Sequence, residues 1–235
     1  MKALPRGIIF DLFHTLTAKE SEWSDLPATC DVLGFERRAW DETLTRGSRW
    51  RLAGEERDAC AIVRALARSM NPSIPEDLVV EATRIRTLRF REALQRIPAG
   101  NLATLRALRE HGFKLGLLSN ADAMEVAAWA HSPLAGRFDV EIFSCEVGCV
   151  KPEPEIFHAC LDRLRLRASE CMFVGDGGSD ELQGAKAVGL RTVFVSGVIE
   201  ALFPERVPHR AAISDHHIRE LPELLALLEL PCHAN

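Results

Sequence analysis

The sequence predicts an α/β protein: a doubly wound parallel sheet with an all-helical segment inserted after its first strand. Two observations carry this expectation. Short, continuously apolar runs alternate with helical periodicity, and the strongest runs each close on a polar residue. Between residues 18 and 96 the strand signal vanishes and only helical periodicity remains.

The elements follow in order. Gly7 to Leu12 (GIIFDL), Lys114 to Ser119 (KLGLLS) and Cys171 to Gly175 (CMFVG) are the clearest strands; Val140 to Phe143 and Arg191 to Val195 are weaker ones. Continuous rather than alternating apolar runs suit strands covered on both faces. Leu102 to His111 reads as a helix stopped by Gly112, a C′ glycine, and Leu182 to Val188 stops likewise at Gly189. Glu153 to Leu164 opens among prolines. Such alternation implies right-handed crossovers between parallel strands. In the insert, Glu36 to Leu44, Glu55 to Met70 and Glu76 to Gln95 read as helices, punctuated by Pro72, Pro75 and Pro98. The chain therefore divides into a core of residues 1–17 and 97–235 and a helical unit of residues 18–96.

A length of 235 residues suits one core plus a smaller unit, and 47% hydrophobic with 27% charged residues is ordinary for a globular chain. A net charge of -5 argues against a broad nucleic-acid or anionic-membrane surface. No apolar stretch is long enough to span a bilayer, and Asp11 interrupts the N-terminal run, so that run reads as a strand rather than a secretion signal. Seven cysteines without a C-x-x-C fit neither a disulfide framework nor a zinc site; they read as small apolar residues in a reducing, cytoplasmic setting. The pair His216-His217 reads as surface. The expected protein is a monomer or homodimer.

Ligands of open parallel sheets bind beyond the carboxyl ends of the strands. The three strongest strands deliver Asp11, Ser119 and Asp176 to that edge, and Lys151 follows a weaker one. Taken singly, each has a bland reading: Asp176 as a helix N-cap, Ser119-Asn120 as a turn, Lys151 as a solvated charge. Together, a carboxylate nucleophile, a hydroxyl, a cation and a metal-binding acid make up the equipment of phosphoryl transfer.

The segments FDLFHTLT (10–17), LLSN (117–120), KPEPEIF (151–157) and VGDGGSDELQGAKAVG (174–189), in this order, resemble the haloacid dehalogenase superfamily. The resemblance implies a Rossmann-like core with a helical C1-type cap. It implies Asp11 as the nucleophile, forming a covalent aspartyl intermediate on a small, anionic phosphorylated substrate. It implies Mg²⁺ held by Asp11, the backbone carbonyl of Phe13, Asp176 and either Asp180 or Glu181, the latter aligning better. Ser119, Asn120 and Lys151 would bind phosphoryl oxygens, and Lys151 would also keep Asp11 anionic.

One position departs from the pattern. Phosphatases of the superfamily carry a second Asp two residues after the nucleophile, as general acid and base; here that residue is Phe13. Such help is worth ~10²–10⁴-fold. Three readings accommodate it: a leaving group needing little protonation, or another donor such as His14; a carbon–halogen hydrolase, whose halide needs no proton; or a phosphate- and metal-binding module with weak turnover. Dehalogenases of the family resemble one another in an aromatic Tyr at that position and a metal-free last motif, whereas this chain has no Tyr and keeps Gly175-Asp176. A phosphohydrolase is the leading reading.

The insert resembles the family's cap, and its loop at 47–59 lies where specificity residues are found. Arg49 and Arg51 are expected to meet an anionic substrate and Trp50 to stack on a flat one, with Gly54 at a turn or hinge. The alternative is that the arginines solvate a helix end and Trp50 covers the insert's core. Arg84, Arg86, Arg89, Arg91 and Arg96 make the last insert helix basic, with few partners expected within it.

Overall fold

The computed structural model describes residues 4–230. Among them, six parallel strands form one sheet in the order β3-β2-β1-β4-β5-β6. These are β1 (Gly7–Phe10), β2 (Lys114–Ser119), β3 (Val140–Phe143), β4 (Cys171–Gly175), β5 (Arg191–Val195) and β6 (His216–Ile218). Strands β2 to β5 have the predicted bounds. β1 stops two residues early: Asp11 still donates its amide to Val174 at 2.9 Å, but the Leu12 carbonyl then accepts the amides of Leu16 and Thr17. His14 completes that turn in the left-handed region, at φ 63°.

β6 was not foreseen. The histidine pair read as surface is a short edge strand, with His217 exposed, its ring stacked on Phe194 at 5.1 Å, and only Ile218 buried. Three residues holding one apolar side chain carry no readable period.

Alternate strand residues enter two cores. Ile8, Phe10, Leu117 and Val174 pack with Leu105 and Leu108 on one face, and Ile9, Leu118, Phe173 and Phe194 pack with Ile156, Phe157 and Leu182 on the other. This double coverage is why the strands read as unbroken apolar runs.

Between β1 and β2 the chain forms helices α1 (Glu20–Trp23), α2 (Thr29–Leu33), α3 (Arg37–Thr45), α4 (Arg49–Leu52), α5 (Ala59–Met70), α6 (Glu76–Gln95) and α7 (Ala99–Glu110). α7 lies on the sheet; α2 to α6 share an apolar cluster of their own, and Trp23 of α1 packs separately with Phe90 and Ala93 of α6. In α5, Ile62, Val63, Leu66 and Ala67 fall on one face, and Asp58 caps the helix by accepting from the amide of Ala61 at 2.7 Å. After β3 come α8 (Ser144–Val147) and α9 (Pro154–Leu164), then α10 (Glu181–Ala187), α11 (Gly197–Leu202), α12 (Val207–Ile213) and α13 (Glu223–Leu227).

Among the described residues no helix is long and apolar enough to cross a membrane. Cys30, Cys145, Cys160 and Cys171 are buried and Cys60 and Cys149 half-buried, all as free thiols; Cys232 lies outside the described residues.

Candidate active site

Strand order reverses at β1, which pairs with β2 on one side and β4 on the other. Side chains just past β1 and β4 therefore meet above the crevice that such a switch leaves open. Asp11 and Asp176 are these residues. Glu181, the first residue of α10, turns back toward them, and the three buried carboxylates each offer an oxygen within 4.8 Å of the others.

Lys151 is the counter-ion. It is only 3% exposed, with Nζ 2.6 Å from Asp11 Oδ1, 2.5 Å from Glu181 Oε2, and over the ring of Phe173. Burial works to lower its ionisation, but Asp11 and Glu181 outweigh it, so the ammonium is held well above the usual lysine range. The same burial raises Asp11; Lys151 counters it and Asp176 adds to it. Glu181 is raised further, by burial and then by the Asp11 charge. A buried group of three acids with so few cations has a standing demand for positive charge.

The remaining contacts fix this group. Thr15 Oγ1 donates to Asp11 Oδ2 at 2.8 Å, and the amides of Gly177 and Gly178 donate to Glu181 and Asp176 at 2.9 and 2.8 Å. Arg210 of α12 donates to the Asp176 carbonyl at 2.7 Å and lies 3.5 Å from its Oδ2. Its side chain crosses Gly177, where a Cβ would come within 2.8 Å of Arg210 Cδ. Sequence reasoning missed Thr15 and Arg210. Thr15 sits four residues after Asp11 in a turn, a spacing that could have been used; Arg210 carries no local signal.

Other expected residues fall as follows. Ser119 is fully buried and its Oγ has no partner. Asn120 is committed to the backbone of Lys151, donating to its carbonyl at 2.9 Å and accepting from its amide at 2.7 Å, so it positions the lysine. Asp180 is exposed and outside the carboxylate group, because its left-handed conformation at φ 50° ends the loop and Glu181 is the acid that the helix turns inward. Phe13 packs against Trp23 and Phe90, with ring centroids 5.7 and 5.3 Å away. His14, whose direction the sequence left open, places Nδ1 3.9 Å from Asp176 Oδ2.

A cavity of about 830 Å³ opens beside Lys151 and Asn120, lined by Phe13, Leu44 and Arg51 from one side and Gly177 and Arg210 from the other. Arg51 borders it with both Nη groups engaged and its buried Nε without a partner. Nη1 pairs with Asp122 at 2.8 Å and Glu125 at 3.5 Å, and Nη2 donates to the Leu44 carbonyl. Arg86 joins the same network through Glu125 at 2.5 Å. Two carboxylates on the loop after β2 have thus claimed the arginine expected at the substrate. Arg49 pairs with Glu153 at 2.8 Å, Trp50 is half-buried against the helical cluster, and Gly54 turns at φ 74° against the backbone of Cys145. Arg84 of α6 and Arg96, just past its end, do find partners on that helix, Glu81 and Glu92.

A family model for haloacid dehalogenase-like hydrolases matches residues 5–189, which include Asp11, Ser119, Lys151 and Glu181. The chain belongs to that family. Among proteins similar to this hydrolase, haloacid dehalogenase-like hydrolase domain-containing protein 3 of Mus musculus is 32% identical over 54% of this chain and 49% of its own length. Glyceraldehyde 3-phosphate phosphatase of Pyrococcus furiosus is 31% identical over 58% of this chain and 55% of its own. The match thus spans about half the length of these curated relatives. An L-2-haloacid dehalogenase of Xanthobacter autotrophicus, solved with chloropropionic acid covalently bound, shares the fold with a TM-score of 0.65 at 20% identity, over 96% of this chain and 99% of that one. The haloacid dehalogenase-like hydrolases similar to this one thus include both phosphatases and dehalogenases.

Proposed function

We propose that this hydrolase is a Mg²⁺-dependent phosphohydrolase, acting on a small phosphorylated substrate with Asp11 as nucleophile. The buried group Asp11, Asp176 and Glu181 carries this reading. Three hard carboxylate donors so close together suit Mg²⁺, and an ion there supplies the charge needed to bring an anionic carboxylate up to an anionic phosphoryl group. The carbonyl of Phe13 is a further candidate ligand, and Asp180 is not one.

This chain's own residues divide the rest of the work. Lys151 orients Asp11 through one oxygen and opposes its protonation, while Thr15 fixes the other oxygen. The Ser119 hydroxyl, buried without a partner, is a donor left for a phosphoryl oxygen. Residues 18–96 act as a cap over the cavity, excluding water during turnover. The similarity to a glyceraldehyde 3-phosphate phosphatase agrees with this chemistry. The free, mostly buried thiols agree with a reducing, cytoplasmic setting.

Phe13 alone favours a second reading, carbon–halogen hydrolysis, because halide departs without a proton. Against it stands the acid group, which a halide displacement by Asp11 would leave unused. Asp11→Asn separates role from scaffold: phosphate release should vanish while the thermal unfolding midpoint stays within a few degrees of the parent. Turnover retained in Asp11→Asn would remove Asp11 as nucleophile.

A further inference from the structure

We infer that the substrates are phosphates whose leaving oxygen is already a stable anion, namely aryl, enol or acyl phosphates, rather than alkyl phosphates; this rests on the phosphohydrolase reading above. When an Asp11 oxygen bonds to phosphorus, the bond to the leaving oxygen breaks and its electron pair departs with that oxygen. An alkoxide must then take up a proton, whereas a phenolate, enolate or carboxylate need not. In the second step water attacks the phosphorus, the Asp11 carboxylate leaves, and the water's protons stay with the phosphate. That leaving group is itself a carboxylate, so this half of the cycle also runs without an acid.

The protonable groups in contact with Asp11 are committed to ion pairs and hydrogen bonds within the site. The Thr15 hydroxyl donates to Asp11, and the Lys151 ammonium is shared between Asp11 and Glu181. Glu181 spends its second oxygen on the amide of Gly177, and Asp176 lies between the Gly178 amide and Arg210. His14 lines the cavity with Nδ1 turned toward Asp176 and its buried Nε2 without a partner, so its ring is the one group near Asp11 not tied up on both sides. Glu125 is held between Arg51 and Arg86. Of the other titratable groups lining the cavity, Asp180, Glu205 and His209 are exposed and Glu20 is half-exposed on α1.

The cavity wall beside the nucleophile is apolar instead. Phe13 is backed by Trp23 and Phe90, which are 4% and 8% exposed, so the wall is firmly packed and carries no transferable proton. An apolar wall next to a charged floor suits an unsaturated or aromatic group bearing one phosphate.

The experiment is kcat/KM with Mg²⁺ for a series of phosphate monoesters graded by leaving-group acidity, from nitrophenyl through phenyl to alkyl phosphate, measured on the unmodified protein. An enzyme that supplies the proton flattens such a series. The expected result is a steep dependence, with alkyl phosphates at least ~10²-fold slower than aryl ones, the scale of missing general-acid help. Phe13→Asp should flatten the slope by speeding the alkyl end; if that variant does not fold, the slope of the parent decides alone. Alkyl phosphates turned over within a few fold of aryl phosphates would overturn the inference while leaving the phosphohydrolase reading intact. Release from no ester in the series would overturn both.

Discussion

Arg210 touches Asp176 twice, through the carbonyl and the carboxylate, from a helix more than thirty residues further along the chain. A guanidinium at that place fixes the direction of one of the three acids and is itself fixed by lying across Gly177. With Asp176 as the proposed Mg²⁺ ligand, Arg210→Met should cost about 10–100-fold in Mg²⁺ affinity or phosphate release, the usual effect of removing a group that orients a metal ligand. Calorimetric Mg²⁺ titration beside steady-state kinetics checks this, with Arg210→Lys expected to recover part of the loss. At this scale, the sequence pointed to residues that end strands or open helices, and the structure brings four of them together, Asp11, Lys151, Asp176 and Glu181. Sequence reasoning missed Arg210 because nothing near Arg210 in sequence records the contact. It expected Arg51 at the substrate without its ion pairs, because a basic side chain in a loop does not reveal that Asp122 and Glu125 wait for it across the fold.

Helices α4 and α6 are tied to the loop after β2 by ions as well as by apolar contacts. Arg51, Arg86, Asp122 and Glu125 are all under a tenth exposed, and Glu125 Oε1 faces both arginines. Burial and the neighbouring Asp122 push the Glu125 carboxyl upward, and the two guanidinium groups counter them. Glu125→Ala would strand the buried Arg86, while Arg51 keeps Asp122, and should destabilise the protein by about 3–5 kcal/mol, as breaking a buried ion pair does. Urea unfolding measures this; a loss below 1 kcal/mol would show that the network contributes little. Elements were the most legible level. β2 to β5 and α6 have the predicted limits, since long periodic or unbroken apolar runs leave few alternatives. β6 was illegible because a three-residue edge strand is defined by its neighbour rather than by its own pattern.

For the whole molecule, one topological fact places the chemistry. β1 lies between β2 and β4, so the acids after β1 and β4 must meet, and α10 adds Glu181 to them. The strand–helix alternation made the sheet and its working edge readable, because parallel order follows from crossover connections. The choice between phosphorus and carbon as the site of attack was less readable, since Phe13 and Asp176 point in opposite directions. The structure adds weight on one side by closing Asp176 and Glu181 around Asp11. The most direct measurement is product release from nitrophenyl phosphate and from 2-chloropropionate, each with Mg²⁺ and with EDTA. Phosphate release that requires Mg²⁺ and stops with EDTA, without chloride release, is the predicted result. Chloride release that is indifferent to EDTA would contradict the account and give the deciding role to Phe13.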